Sequence, residues 1–222
     1  MGLKPTPDGC RGPSKLQAIS GPRVLDSGSR EEFDTGSVRD TRAGKGRFDL
    51  LPRVALLRVG WAFLSAEDRD HAAQAAYFAL RAIGANNTID PDMLGRSIDH
   101  GLRYVAGEGI SIGQTDPFAM CEKPGPFFTA VPAEGVLAVA KVFEEGAIKY
   151  AERNWELGQP VARMADSALR HSFKTLAGWT DEPHPAQAAW NWLAILHMEY
   201  YHPELNDLPW AVAAREKGEG GC

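Results

Sequence analysis

Val142-Phe143-Glu144-Glu145-Gly146-Ala147-Ile148-Lys149-Tyr150, running on to Arg153-Asn154-Trp155, sets two adjacent carboxylates on an otherwise apolar segment. At about 100° per residue, Leu137, Ala140, Phe143, Ala147, Ile148 and Ala151 share one broad arc, and Lys141, Glu145, Lys149 and Glu152 share the opposite one. That recurrence predicts an amphipathic helix over about 132–153. Glu144 falls inside the apolar arc. An ionised carboxylate aimed at a core is costly unless a cation or several donors meet it, which makes Glu144 a candidate metal ligand. Glu145 is spaced to pair with Lys141 and Lys149 at i±4, a solvated surface arrangement.

The same period recurs on either side. Helices are expected over about 53–64, 67–84, 91–106, 160–177 and 185–202. Asp90-Pro91, Val131-Pro132 and His184-Pro185 each put a proline in a first turn, and Gly178 marks a stop. The β-branched alternation of a sheet is nearly absent, so the chain reads as all-α, a helical bundle. Residues 107–130, with Gly107, Gly109, Gly113, Pro117, Pro124 and Pro126, read as a long connecting loop. Residues 1–32 read as a disordered tail and 33–210 as one domain, with 211–222 a flexible C-terminal tail. Within 33–47 the chain is loop-like and gathers Arg39, Arg42, Lys45 and Arg47.

With 222 residues, 44% of them apolar, a sizeable core can be built. The net charge of −5 gives no signal for polymeric nucleic acid or an anionic membrane. Binding of a phosphate compound must then come from local arginine, lysine or metal. Cys10, Cys121 and Cys222 are far apart and show no Cys-x-x-Cys spacing, against a disulfide framework or a zinc ribbon. Residues 1–30 lack a secretory signal and no apolar run is long enough to span a bilayer, so a cytoplasmic protein is expected.

Three further stretches carry candidate chemistry. The 160–177 helix holds Arg163, Asp166, Arg170 and His171. Asp166 is spaced to pair with Arg163 and Arg170 on a helix surface, while the Arg170 guanidinium suits a phosphate. Next, Asp181 and Glu182 of Thr180-Asp181-Glu182-Pro183-His184 either cap the following helix or, with His184, face a metal-bound phosphate. The 185–202 helix is apolar almost all round and should be central. Gln187 and Asn191 stack on one side of it, as a structural amide network or as the polar wall of a nucleotide pocket. Carboxylates with at most one imidazole suit Mg²⁺ or Mn²⁺ better than Zn²⁺.

A faint internal echo relates Asp68-Arg69-Asp70-His71-Ala72-Ala73-Gln74-Ala75-Ala76-Tyr77 to Asp181-Glu182-Pro183-His184-Pro185-Ala186-Gln187-Ala188-Ala189-Trp190. The first copy lacks paired glutamates and reads as a packing partner rather than a second site.

Gly46-Arg47-Phe48-Asp49-Leu50-Leu51-Pro52, then Phe143-Glu144-Glu145-Gly146-Ala147-x-Lys149-Tyr150-x-x-Arg153-Asn154-Trp155-Glu156-x-Gly158, resembles the N-terminal domain of the dATP/dGTP diphosphohydrolase family, common in phage genomes. So do Asp166-Ser167-Ala168-Leu169-Arg170-His171, Leu176-Ala177-Gly178 and His184-x-Ala186-x-Ala188-Ala189-Trp190-Asn191. The resemblance implies an all-α fold related to the MazG-like nucleotide pyrophosphohydrolases. It also implies metal-dependent cleavage of a deoxynucleoside triphosphate, dATP or dGTP, to monophosphate and pyrophosphate. On that reading Glu144, Glu145 and one of Asp166, Asp181 or Glu182 hold Mg²⁺ or Mn²⁺. Lys149, Arg153, Asn154 and Arg170 meet the substrate, His184 or His171 relays a proton, and Asn191 with Trp155 contacts the base. A homodimer or homotetramer is expected by the same resemblance.

Two departures stand out. The MazG-like pattern has Glu-Glu-x-x-Glu on one helix and Glu-x-x-Asp on another, whereas here Ile148 and Lys149 follow the glutamate pair and His184 and Asn191 occupy the later helix. An extra segment, about 59–127, also separates Leu50-Leu51-Pro52 from the helix it usually enters directly. The incomplete carboxylate set leaves an alternative, a non-catalytic helical nucleotide-binding or scaffolding protein.

Overall fold

The computed structural model describes residues 30–40, 43–64, 70–108 and 131–219. The three cysteines, residues 1–29 of the expected tail and residues 109–130 of the expected loop lie outside the described residues. The chain divides into two compact units, 1–42 and 43–222. In the first, β1 (Arg30–Glu32) and β2 (Val38–Asp40) form an antiparallel hairpin where tail and loop were expected. Gly36, at φ +78°, supplies the left-handed turn between them.

The second unit is helical. Its elements are α1 (Arg53–Leu64), α2 (His71–Arg81), α3 (Pro91–Ala106), α4 (Ala133–Tyr150), α5 (Val161–Leu176), α6 (His184–Tyr201) and α7 (Pro209–Glu219). No described helix is long and apolar enough to cross a membrane. The starts of α2 and α3 follow capping chemistry. Asp70 accepts from the Ala73 amide, and Asp90, just before Pro91, accepts from the amides of Asp92 and Met93. Residues 209–219, read from the sequence almost wholly as a flexible tail, form α7, because Trp210 packs edge-on against Tyr104 and Ala211 is buried.

The central helix is α6, packed against α5, α2, α4 and α1. Trp192, Leu193, Ile195, Leu196 and Met198 are fully buried there, as an all-round apolar helix requires. The inserted segment is part of this core. Ala75, Ala76, Ala79 and Leu80 of α2 are buried in the same cluster, and their short side chains let α2 lie close to its neighbours. A Cβ at Gly135 of α4 would sit 2.4 Å from the Leu80 carbonyl oxygen, so that crossing needs glycine.

The expected arc of α4 is displaced. Gly135, Val139, Ala140, Val142 and Phe143 are its buried residues, while Leu137 and Ile148 are exposed, Ile148 at 82%. Ala147 still packs against the core, and only the final residues of α4, Ile148 to Tyr150, are exposed together.

At the far end of α6 lies a buried ionic network. The Arg58 guanidinium donates to both Asp70 oxygens (3.1 and 3.2 Å) and to Glu199 (2.8 Å). Glu199 also accepts from the Tyr104 hydroxyl at 2.9 Å. Burial opposes the Arg58 charge, but the two carboxylates outweigh it and raise its pKa. Burial first, and then Glu199, raises that of Tyr104.

Candidate metal centre and adjoining cavity

The connection from α5 to α6 brings histidines and acids together. His171 lies in the last turns of α5, Gly178 at φ +75° reverses the chain, and His184 opens α6. The Nδ1 atoms of the two rings are 2.9 Å apart, and both side chains are buried. Glu182 Oε2 stands 3.8 Å from His171 Nδ1 and 3.6 Å from His184 Nδ1. On its other side, His184 Nε2 lies 2.7 Å from Asp181 Oδ1. A carboxylate only accepts, so Nε2 carries a proton, and the neutral form of the ring presents the Nδ1 lone pair. That hydrogen bond is the leading cause of a lowered Asp181 pKa. Burial first, then Arg170 and His184, holds His171 down at about 4, so it is neutral near pH 7.

These groups fit a divalent ion. Three donor atoms, from His171, Glu182 and His184, lie within 4.8 Å of one another. An octahedral ion with bonds of about 2.1 Å sets two adjacent ligand atoms roughly 3.0 Å apart, close to the separation of the two Nδ1 atoms. A carboxylate on the far nitrogen of a ligating imidazole, as Asp181 is placed, is the usual means of fixing the tautomer.

A cavity of about 400 Å³ adjoins the cluster, lined by Glu145, Lys149, Arg153, Asn154, Trp155, His171, Glu182 and Gln187 among others. Lys149 is fully exposed, its ammonium 4.9 Å from the centre of the Tyr150 ring; Tyr150 first, and Glu182 to a lesser degree, raise its pKa. Arg153 reaches Glu156 at 2.6 Å and the Asp49 carbonyl at 3.1 Å. No hydrogen bond or ion pair among the described residues engages Glu145, so the expected pairing with Lys141 and Lys149 is not formed. The chain enters the cavity wall through a forced turn, with Ala151 at φ +94°, ψ 156° and Arg153 at φ +56°. A larger hollow of about 810 Å³, lined by Phe48, Pro52, His197 and Tyr201 among others, lies away from the metal-ligating cluster.

Other sequence candidates lie elsewhere. Glu144 is not turned toward other acids: its two oxygens accept from the backbone amides of Gly44 (2.7 Å) and Gly46 (2.8 Å). Asp166 is exposed, with Arg163 at 3.9 Å, and Arg170 donates to Ser167. Neither joins the cluster, because both project from the solvent side of α5. Asn191 is buried and donates to the Gln187 carbonyl one turn back, which uses its amide within α6. Trp155 is a core residue packed against Phe143 and Trp190, although it reaches the cavity. His171 faces His184 rather than standing apart from it. Two histidines thirteen residues apart carry no such signal until the turn at Gly178 is known.

No curated protein and no solved structure matches this chain. Residues 122–208, which take in α4, α5 and α6 and with them every residue of the histidine–carboxylate cluster, match the family described as dATP/dGTP diphosphohydrolase, N-terminal.

Proposed function

We propose that this protein is a metal-dependent deoxynucleoside triphosphate diphosphohydrolase, cleaving its substrate to monophosphate and pyrophosphate. The observation that carries the reading is the convergence of His171, Glu182 and His184 beside a cavity lined by Lys149 and Arg153. The family description supplies the substrate class, a purine deoxynucleotide. The donor set holds two imidazoles where the sequence reading allowed at most one, and of the two ions expected, Mn²⁺, as a transition metal, takes nitrogen ligands more readily than Mg²⁺. When bound, the ion would supply Lewis-acid charge to phosphate oxygens. Asp181 holds His184 in the tautomer that can ligate. Glu145 accepts the proton of the water that attacks the α-phosphorus. Lys149 and Arg153 offset the charge that gathers on the leaving pyrophosphate.

The test is incubation with each of the four dNTPs and Mn²⁺, with products resolved by chromatography. Monophosphate and pyrophosphate in equal amounts are expected, fastest from dATP or dGTP. Release of orthophosphate alone would overturn the proposed bond.

A further inference from the structure

Beside the cavity of Lys149 and Arg153, and sharing Glu145 and Glu182 with it, lies a second hollow of about 690 Å³. Val142, Glu145, Glu182 and Pro183 line both hollows, so the two are neighbours with a common wall. Their chemistry differs. The first gathers Lys149, Arg153, His171 and Glu182, whereas the second has Ile83, Ile89, Leu137, Ala186 and the Trp179 ring, with Glu134 and Lys141 as further charged groups in its lining. Trp179 is 55% exposed, and the Lys174 ammonium lies 4.8 Å from its ring centre.

We infer that this second chamber takes the heteroaromatic base of the nucleotide, with Trp179 as the stacking surface, a reading that rests on the proposed function above. Cleavage between the α- and β-phosphates puts the reacting phosphorus between the nucleoside and the pyrophosphate. Glu182 belongs to the metal-ligating cluster and lines both hollows. An α-phosphate on an ion held by Glu182 therefore has the Lys149 and Arg153 cavity on one side for pyrophosphate and the more apolar hollow, with Trp179, on the other for the base. Aromatic faces stack on any base, and edge groups such as Thr175 and Thr180 add discrimination.

One wall comes from the inserted segment. Ile83 and Ile89 bridge each other across the turn between α2 and α3, and the Gly84 amide donates to the Thr88 carbonyl at 2.8 Å. The turn is thus fixed before any ligand arrives, and the insertion shapes base selection.

Calorimetry with Mn²⁺ tests this, using dATP and dGTP as nucleotides and inorganic tripolyphosphate as the base-free probe. Trp179→Ala should weaken nucleotide binding about ten- to hundredfold, the scale of one lost stacking partner, and leave tripolyphosphate binding unchanged. Ala85→Trp, which fills the chamber from the inserted turn, should do the same. Equal weakening of both ligands by Trp179→Ala, or of neither, overturns the chamber assignment while the diphosphohydrolase reading stands on its product analysis. A wild-type protein that binds neither ligand overturns both.

Discussion

His171 and His184 face each other through their Nδ1 atoms across 2.9 Å, one near the end of a helix and the other at the start of the next. The hydrogen bond between the two rings holds one proton, and with Asp181 on its far nitrogen the neutral form of His184 takes the accepting role. His184→Ala should abolish tight Mn²⁺ binding. Asp181→Asn should weaken it about ten- to a hundredfold, the usual loss when the partner of a ligating histidine is removed. Mn²⁺ titration by calorimetry reads both, and unchanged affinity in His184→Ala would remove this cluster from consideration.

Glu144 gives the opposite expectation. Its partners are two backbone amides, so Glu144→Gln should leave Mn²⁺ affinity unchanged while the Gly44 and Gly46 amides exchange faster with solvent. Hydrogen exchange and the same metal titration, run together, separate a loop anchor from a ligand. Lost metal affinity with intact amide protection would reverse the assignment.

Arg58→Met should destabilise the fold by about 3–5 kcal/mol, because Asp70 and Glu199 would stay buried without their cation. Urea unfolding measures it. Glu199 is fifteen residues along α6 from His184, roughly 22 Å of helix, so Mn²⁺ affinity in the folded variant should hold.

Stability should also fall in mild acid. Burial first, and then His202, holds His197 at about 4 in the folded protein, against about 6.5 when unfolded. Between those values the unfolded chain binds more protons. Its contribution is therefore complete above about pH 6.5 and disappears as the pH drops toward 4. The urea midpoint of metal-free protein should follow that course, and His197→Gln should flatten it by up to about 1.4 kcal/mol per pH unit. An unaltered slope in the variant would show that His197 is not responsible.

Ala151 occupies a backbone region that is essentially glycine's own, at a cost of about 1–3 kcal/mol. Ala151→Gly relieves the strain but loosens the unfolded chain, so a net gain of about 1 kcal/mol is expected. Ala151→Val should destabilise. Thermal melts decide, and a lower midpoint for the glycine variant would contradict the geometry.

Helix placement could be read from periodicity and caps because both are local: Asp90-Pro91 announces α3 and the apolar run after His184 announces α6. The placement of Glu144 on two backbone amides could not be read in the same way. A carboxylate among apolar neighbours does need donors, as expected, but backbone amides a hundred residues away carry no side-chain signature. Trp179 escaped notice because a lone tryptophan after a helix stop looks like any loop residue until a chamber opens beside it. The last helix was hidden by Arg215, Glu216 and Lys217, which resemble a solvated tail, whereas Trp210 and Ala211 decide its position.

The double amide grip on Glu144 also fixes how far the polypeptide can be trimmed for crystallisation. A version starting at Ala43 keeps both amides, the Arg47 ties to Asp49 and Glu152, and the Asp49 carbonyl beneath Arg153. One starting at Leu50 discards all of them, leaving both Glu144 oxygens without their amides and Arg153 without the Asp49 carbonyl.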